Sequence, residues 1–205
     1  MFVSNYLFNT IGYGFHGLSI LRYNLTQDDL ISTQDNMTRS IADCFPEFYV
    51  MYPGASVEVS IASTEAPTAK FSGQSLKVAM LGSAIFRAHL PNGSLENFLS
   101  SEVNLETTLL LKLNVNALTG TVTSILPTSI TVVETVLHSL NREVLKEVFD
   151  LIATQFLWRK FEELASDGIP LPSPLLSGVE AFENVVVSTA ADDYLRIDTD
   201  LRFAV

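Results

Sequence analysis

The chain has 205 residues, of which 47% are hydrophobic and 17% charged, with 12 basic against 23 acidic side chains and a net charge of −11. That length holds one domain with a sizeable core, and the acid excess excludes a polybasic footprint for nucleic acid or for an anionic membrane or lipopolysaccharide surface. A neutral, apolar ligand is not excluded by the same argument.

The opening "MFVSNYLFNTIGYGF" has neither a basic n-region nor a small-residue cleavage site, so it is not a signal peptide. Asn5–Leu18 is apolar and aromatic-rich and predicts a helix, weakened by Gly12, Gly14 and Gly17. A short strand is expected over Ser19–Asn24. Thr33–Val50 predicts a second helix, with Met37, Ile41, Cys44, Phe45 and Phe48 at helical spacing and Pro46 as a kink or end. The only cysteine, Cys44, excludes an internal disulfide and reads as a buried thiol.

After "YPGAS" the period changes to two. Val57, Val59 and Ile61 alternate with polar residues, Leu76–Leu90 is strand-like, and "LPNGS" (Leu90–Ser94) is a turn. Leu109, Leu111, Leu113 and Val115 alternate again, and Thr119–Thr135 continues the sheet with Pro127 at an edge or bulge. Asn141–Ala165 is the strongest helix, starting near Ser139 or Asn141. Its stripe runs Leu145, Val148, Phe149, Ile152 and Phe156, widened by Val144, Leu151 and Trp158. Asp167-Gly168 stops it, and Pro170, Pro172 and Pro174 make a stiff extended connector. Leu195, Ile197, Thr199, Leu201 and Phe203 then alternate with Arg196, Asp198, Asp200 and Arg202 in a half-buried strand. The class is α+β, with helices on a curved antiparallel sheet.

Residues that would carry chemistry are scattered. "GYGFHG" (Gly12–Gly17) matches a dinucleotide fingerprint in spacing, but it follows a helix and precedes a strand, the reverse of the required context. His16, His89 and His138 are far apart, with no metal-ligand spacing. Asp28-Asp29 and Asp192-Asp193 read as solvated turn residues, and Trp158-Arg159-Lys160 is too small a basic cluster for a binding patch. No G-x-S-x-G elbow occurs. The reading is non-enzymatic, with no cofactor and no metal. No apolar run approaches the ~18 residues of a membrane span. Asn24-Leu-Thr, Asn36-Met-Thr and Asn92-Gly-Ser are N-glycosylation sequons, and Asn92, in a turn, is expected to be the most exposed of the three. They favour a secreted chain or one in the secretory pathway, in which case a preceding part carries the signal.

Five segments in order resemble the C-terminal domain of the bactericidal/permeability-increasing protein (BPI) family. They are "NYLFNTIGYGF", "MYPGASVEVSIASTEAP", "HLPNGSLENFLSSEVNLETT", "DGIPLPSP" and "DYLRIDTDLRF", and they span nearly the whole chain. That family includes lipopolysaccharide-binding protein, plasma lipid-transfer proteins and the long palate-lung-nasal (PLUNC) group, which the chain resembles within it. The resemblance implies a tubular lipid-binding module, a long bent antiparallel sheet wrapped around a long helix with an elongated apolar pocket. Residues 1–205 would be the second of two such domains, with an N-terminal BPI-like domain as intramolecular partner. The family's endotoxin neutralisation belongs to a basic N-terminal domain and does not carry over to this acidic one. The C-terminal amphipathic helix of the cholesteryl-ester carrier has no counterpart here, so neutral-lipid shuttling does not carry over either.

The expected ligand is therefore a phospholipid or other acyl-chain lipid. The residues expected to line its pocket are Leu7, Phe8, Ile11 and Phe15 from the first helix and Val148, Ile152 and Phe156 from the long one. Broad apolar stripes also fill solid cores, and the alternative is an interaction module of the same fold that docks on proteins or membranes.

Overall fold

The computed structural model describes residues 2–26, 29, 41–113, 117–170, 179–191 and 194–203. Among them the strands form two antiparallel sheets. The larger runs β2 (Arg22–Leu25), β3 (Ser56–Ser63), β5 (Ser75–His89), β6 (Leu95–Leu113), β7 (Ala117–Thr135) and β8 (Ile169–Pro170), and β4 (Thr68–Ser72) also pairs with β5. The smaller has β10 (Tyr194–Phe203) between β1 (Phe2–Ser4) and β9 (Val179–Ala191).

β6 and β7 have 19 residues each, so each would span roughly 60 Å if straight. They are not regular. Register shifts interrupt the β6–β7 ladder after Ser100, Asn104 and Thr108, and each extra residue bends the strand and increases its twist. Pro127 sits at the second of these: Asn104 faces Ser129 and Leu105 faces Pro127, which leaves Thr128 over. Beyond Leu118 the far side of β7 carries no strand among the described residues, so β7 is an edge at Pro127, where proline is tolerated.

The long helix lies in this curve. Asn141 caps it by accepting the Glu143 N–H at 2.8 Å. It runs as α3 (Arg142–Leu151), a π-helical stretch (Ile152–Leu157) and α4 (Trp158–Asp167). Gly168 ends it at φ +71°, as the Asp-Gly pair predicts, and Ile169–Pro170 then pair with Ala117–Leu118. The rest of the proline connector, residues 171–178, lies outside the described residues, as do Met37 and Asn36.

At one end, buried aromatics make the main core. Phe45, Phe48, Phe86, Phe98 and Phe149 meet one another in edge-on or tilted contacts, in one cluster with Val148, Ile152 and Leu157 of the long helix. A second core joins the two sheets: Leu195 and Ile197 pack with Val3, Phe71, Leu76, Leu111 and Leu118. Arg196 and Asp198 face water as the alternation predicts, and pair with each other at 2.8 Å.

Two expectations are corrected. The helix expected to reach Val50 from Thr33 is, where described, a 3₁₀ turn (Ile41–Cys44) and a separate α2 (Pro46–Met51). Pro46 starts α2 rather than ending a helix, because proline fits a first turn and forces the preceding Phe45 out of the helical region, here to φ −121° and ψ 82°. The first strand begins at Arg22, since Leu18–Leu21 turn the chain with Ser19 at φ 57°. Cys44 is half-buried.

α2 is tied to the entry of the long helix by one carboxylate. Glu47 accepts the Ser139 hydroxyl on Oε1 and the His138 N–H on Oε2 at 2.7 Å. The Ser139 bond first, then the His138 bond, hold its carboxyl below the ordinary glutamate range. A carboxyl lowered in the folded state stabilises above its unfolded value and loses that contribution as pH falls through the folded one. We expect the stability gap between wild type and Glu47→Ala, read from urea midpoints, to be widest at neutral pH and to narrow on acidification. A gap that does not change with pH would refute this.

Candidate functional site

Beside the second core, whose Leu76, Leu111 and Leu118 it shares, the sheet and two helices leave an apolar groove of about 470 Å³. Its floor comes from period-two positions of three strands: Leu76, Val78 and Met80 of β5, Thr107, Leu109 and Leu111 of β6, and Leu118 and Gly120 of β7. One wall is α1 (Asn5–Gly17) with Leu7, Phe8, Ile11, Gly12 and Phe15; the other is α4 with Phe161, Leu164 and Ala165. Leu21, Pro67, Ala69, Thr119 and the turn Gly168–Pro170 complete it. No charged side chain is among the described residues that line it.

Each wall is pinned by a polar side chain outside the lining. Asn9 accepts the Ala69 N–H at 2.7 Å and Glu162 accepts the Val122 N–H at 2.6 Å. Ser4 caps α1 by accepting the Tyr6 N–H at 3.1 Å. Close approach is bought with glycine: a Cβ on Gly12 would stand 3.0 Å from the Pro67 carbonyl oxygen, and one on Gly120 would stand 3.4 Å from the Ala165 Cβ.

Of the seven residues singled out as pocket lining, the structure brings Leu7, Phe8, Ile11 and Phe15 together in this groove. It places Val148 and Ile152 in the main core, each 1% exposed, and Phe156 beside it, ring to ring with Tyr23 at 5.4 Å. Ile152 borders a cleft of about 50 Å³ with Tyr23 and Phe161. Burial first, and the Glu163 carboxylate second, push the Tyr23 phenol up.

The long helix contributes Phe161, Leu164 and Ala165 instead, which the sequence reading missed. The π-helical stretch is the reason. Its bonds close over five residues, as Trp158 N–H to Ala153 O does, so the inward face passes from Ile152 to Leu157 and not to Phe156. A stripe drawn at 3.6 residues per turn leaves this face after Ile152. The apolar spacing Leu157, Phe161, Leu164 was the available signal.

Other chemistry is sparse. Among the described residues no group of three or more His, Cys, Asp or Glu is placed to hold a metal ion. His16 Nδ1 and Ser63 Oγ are 2.9 Å apart, but His16 hydrogen-bonds no carboxylate among the described residues; the pair fastens the end of α1 to β3. Asn24 and Asn92 are both exposed. Asn24 sits in the β2–β3 ladder and accepts from Ser60 Oγ, whereas Asn92 is at the tip of its turn and accepts from Ser94. No described helix is long and apolar enough to cross a membrane.

Residues 1–203 match the sequence family described as "LBP / BPI / CETP family, C-terminal domain". The chain belongs to this family. Lipopolysaccharide-binding protein of Homo sapiens is 26% identical over 186 residues, 88% of this chain and 37% of that protein. The Bos taurus protein is 25% identical over 206 residues, 98% of this chain and 41% of that one. The chain thus spans about two-fifths of the length of these relatives. A crystal structure of lipopolysaccharide-binding protein superposes with a TM-score of 0.61 at 15% identity, covering 99% of this chain and 42% of that one. The long bent antiparallel sheet with a long helix in its curve is the BPI-like α+β fold.

Proposed function

We propose that this LBP/BPI/CETP-family domain binds the acyl chain of a phospholipid or similar lipid in the groove between α1 and α4, without catalysing a reaction. The observation that carries this is an apolar space of about 470 Å³ with no charged side chain among the described residues that line it. Binding sites for small molecules run from about 300 to 1,000 Å³. Each acyl CH₂ taken from water contributes about 0.8 kcal/mol, so a chain gains on the order of 10 kcal/mol gross before ordering costs. The net charge of −11 disfavours a polyanionic headgroup and favours a zwitterionic or neutral one. The curated relatives are named for lipopolysaccharide; the nearer likeness to the long PLUNC group rests on sequence segments alone. The reading brings with it a secreted protein, an N-terminal BPI-like domain as partner, and Asn92 as the first sequon to carry a glycan.

The test is organic extraction of the purified chain followed by lipid mass spectrometry; absence of any co-purified or exchangeable phospholipid would sink the proposal. A matched pair of substitutions separates groove from core. Ile11→Trp is expected to empty the groove of lipid with little loss of stability. Ile152→Trp, at a position 1% exposed, is expected to cost about 1–3 kcal/mol by overpacking and to leave lipid content unchanged. The reverse pattern would move the site into the main core.

One observation favours docking on proteins or membranes as a second reading. Phe2, Tyr6, Tyr13 and Leu18 are 66–75% exposed on or beside α1. A chain that carries no lipid but adsorbs to vesicles through these residues would support it.

A further inference from the structure

At the end nearer the main core the groove adjoins the cleft of about 50 Å³, and Leu21, Met80 and Phe161 line both spaces. The inward face of β5 changes hands at this point. Leu76 and Val78 pack in the second core, whereas Ala84, Phe86 and Ala88 pack in the main one. Met80 stands between them, packed into neither core, and the next inward position, Gly82, has no side chain. Of the three residues shared by groove and cleft, Leu21 is buried and Phe161 packs against the main core. Met80 is half-buried, and its unbranched side chain is of the kind that fills an irregular gap without being locked into it.

We propose that Met80 is a specificity-determining residue: its side chain closes the groove against the end of a bound acyl chain and sets the length at which affinity stops rising. This rests on the groove being the lipid site. The direction of the chain follows from what lies behind Met80. No charged side chain is among the described residues that line the cleft, and Phe149 and Ile152 on its far side belong to the main core. A headgroup brought to this end would lose its hydration uncompensated, whereas a terminal methyl loses none. Each methylene that enters the groove is worth roughly 4-fold in affinity, and the gain ends where the chain meets Met80. Beyond it the cleft is unused space. One water-sized group needs about 10–15 Å³, so the cleft takes roughly three to five of them once Met80 no longer stands in the way.

The experiment offers the full delipidated chain a series of saturated lysophosphatidylcholines, from decanoyl to arachidoyl, each below its micelle-forming concentration. Neighbours in the series compete in pairs, and mass spectrometry of the bound species gives their relative affinities. In wild type the longer neighbour is expected to win until a limiting length and then to gain nothing. Met80→Ala is expected to move that limit up by about two to five carbons. Met80→Trp is expected to move it down, so the gauge is tested in both directions and does not hang on one variant. Leu164→Ala, in the groove wall but not the cleft, is expected to weaken binding and leave the limit where it is. If wild type binds the series but shows no limit, or a limit that both Met80 variants share, the gauge is wrong and the groove reading stands. If no member of the series binds wild type, the groove reading falls and the gauge falls with it.

Discussion

Phe98→Ala is expected to lower the unfolding free energy by about 3–5 kcal/mol, the range for a fully buried phenylalanine whose cavity cannot collapse. Phe98 is 1% exposed and stands at the centre of the aromatic core, with ring centroids 5.7 Å from Phe45, 5.1 Å from Phe48, 6.3 Å from Tyr52 and 6.1 Å from Phe86. Phe86 in turn meets Phe149 of α3 edge-on at 5.8 Å. The cluster therefore joins the sheet to α2 and to the long helix, and removing its centre leaves four rings each short of a partner. Total stabilities of domains are only about 5–15 kcal/mol, so much of the folded population's margin would go. Urea denaturation checks it: the midpoint should fall with little change in slope. Since no buried residue of this core lines the groove, lipid affinity of the folded fraction should be retained. A loss below about 1 kcal/mol would show that the aromatic cluster is not the tightly packed core its geometry describes.

The parts legible in the sequence are those where one face of an element is uniformly dry. Val57 and Val59, Leu195 and Ile197, and the α1 stripe from Leu7 to Phe15 all lie where a period of two or 3.6 puts them. Two kinds of information were not there to read. Local hydrogen bonding changed the helical period inside the long helix, so that Leu157 turned inward and Phe161 and Leu164 reached the groove while Phe156 moved aside. And sequence pattern cannot separate a stripe against a solid core from one against a cavity, because both are apolar for the same reason. Val148 and Ile152 lie on the same helix as Phe161 and Leu164, and only the third dimension puts the first pair in the core and the second in the groove.

Gly168→Ala is expected to damage both stability and lipid binding, and it tests the turn that closes the groove. Gly168 has φ +71° and ψ 176°, a conformation that is nearly glycine's alone and costs an L-residue about 1–3 kcal/mol. Space is equally restrictive. A Cβ there would lie 2.8 Å from Thr119 Cγ2 and 3.0 Å from the Leu118 carbonyl oxygen. The oxygen belongs to the β7 backbone, so the turn itself must shift, and overpacking of this kind adds about 1–3 kcal/mol. Together the two effects amount to about 2–6 kcal/mol. The displacement would fall on Ile169 and Pro170, which pair with Leu118 and Ala117 and border the groove with Gly168 itself. Gly73→Ala is the matched control, because Gly73 also has positive φ, at 63°, but nothing stands within 4 Å of its would-be Cβ. That variant should suffer the conformational cost only and bind lipid as wild type does. If Gly168→Ala costs no more than Gly73→Ala in urea denaturation and keeps its lipid, the close approach of this turn to β7 has no energetic weight, and the groove does not depend on it.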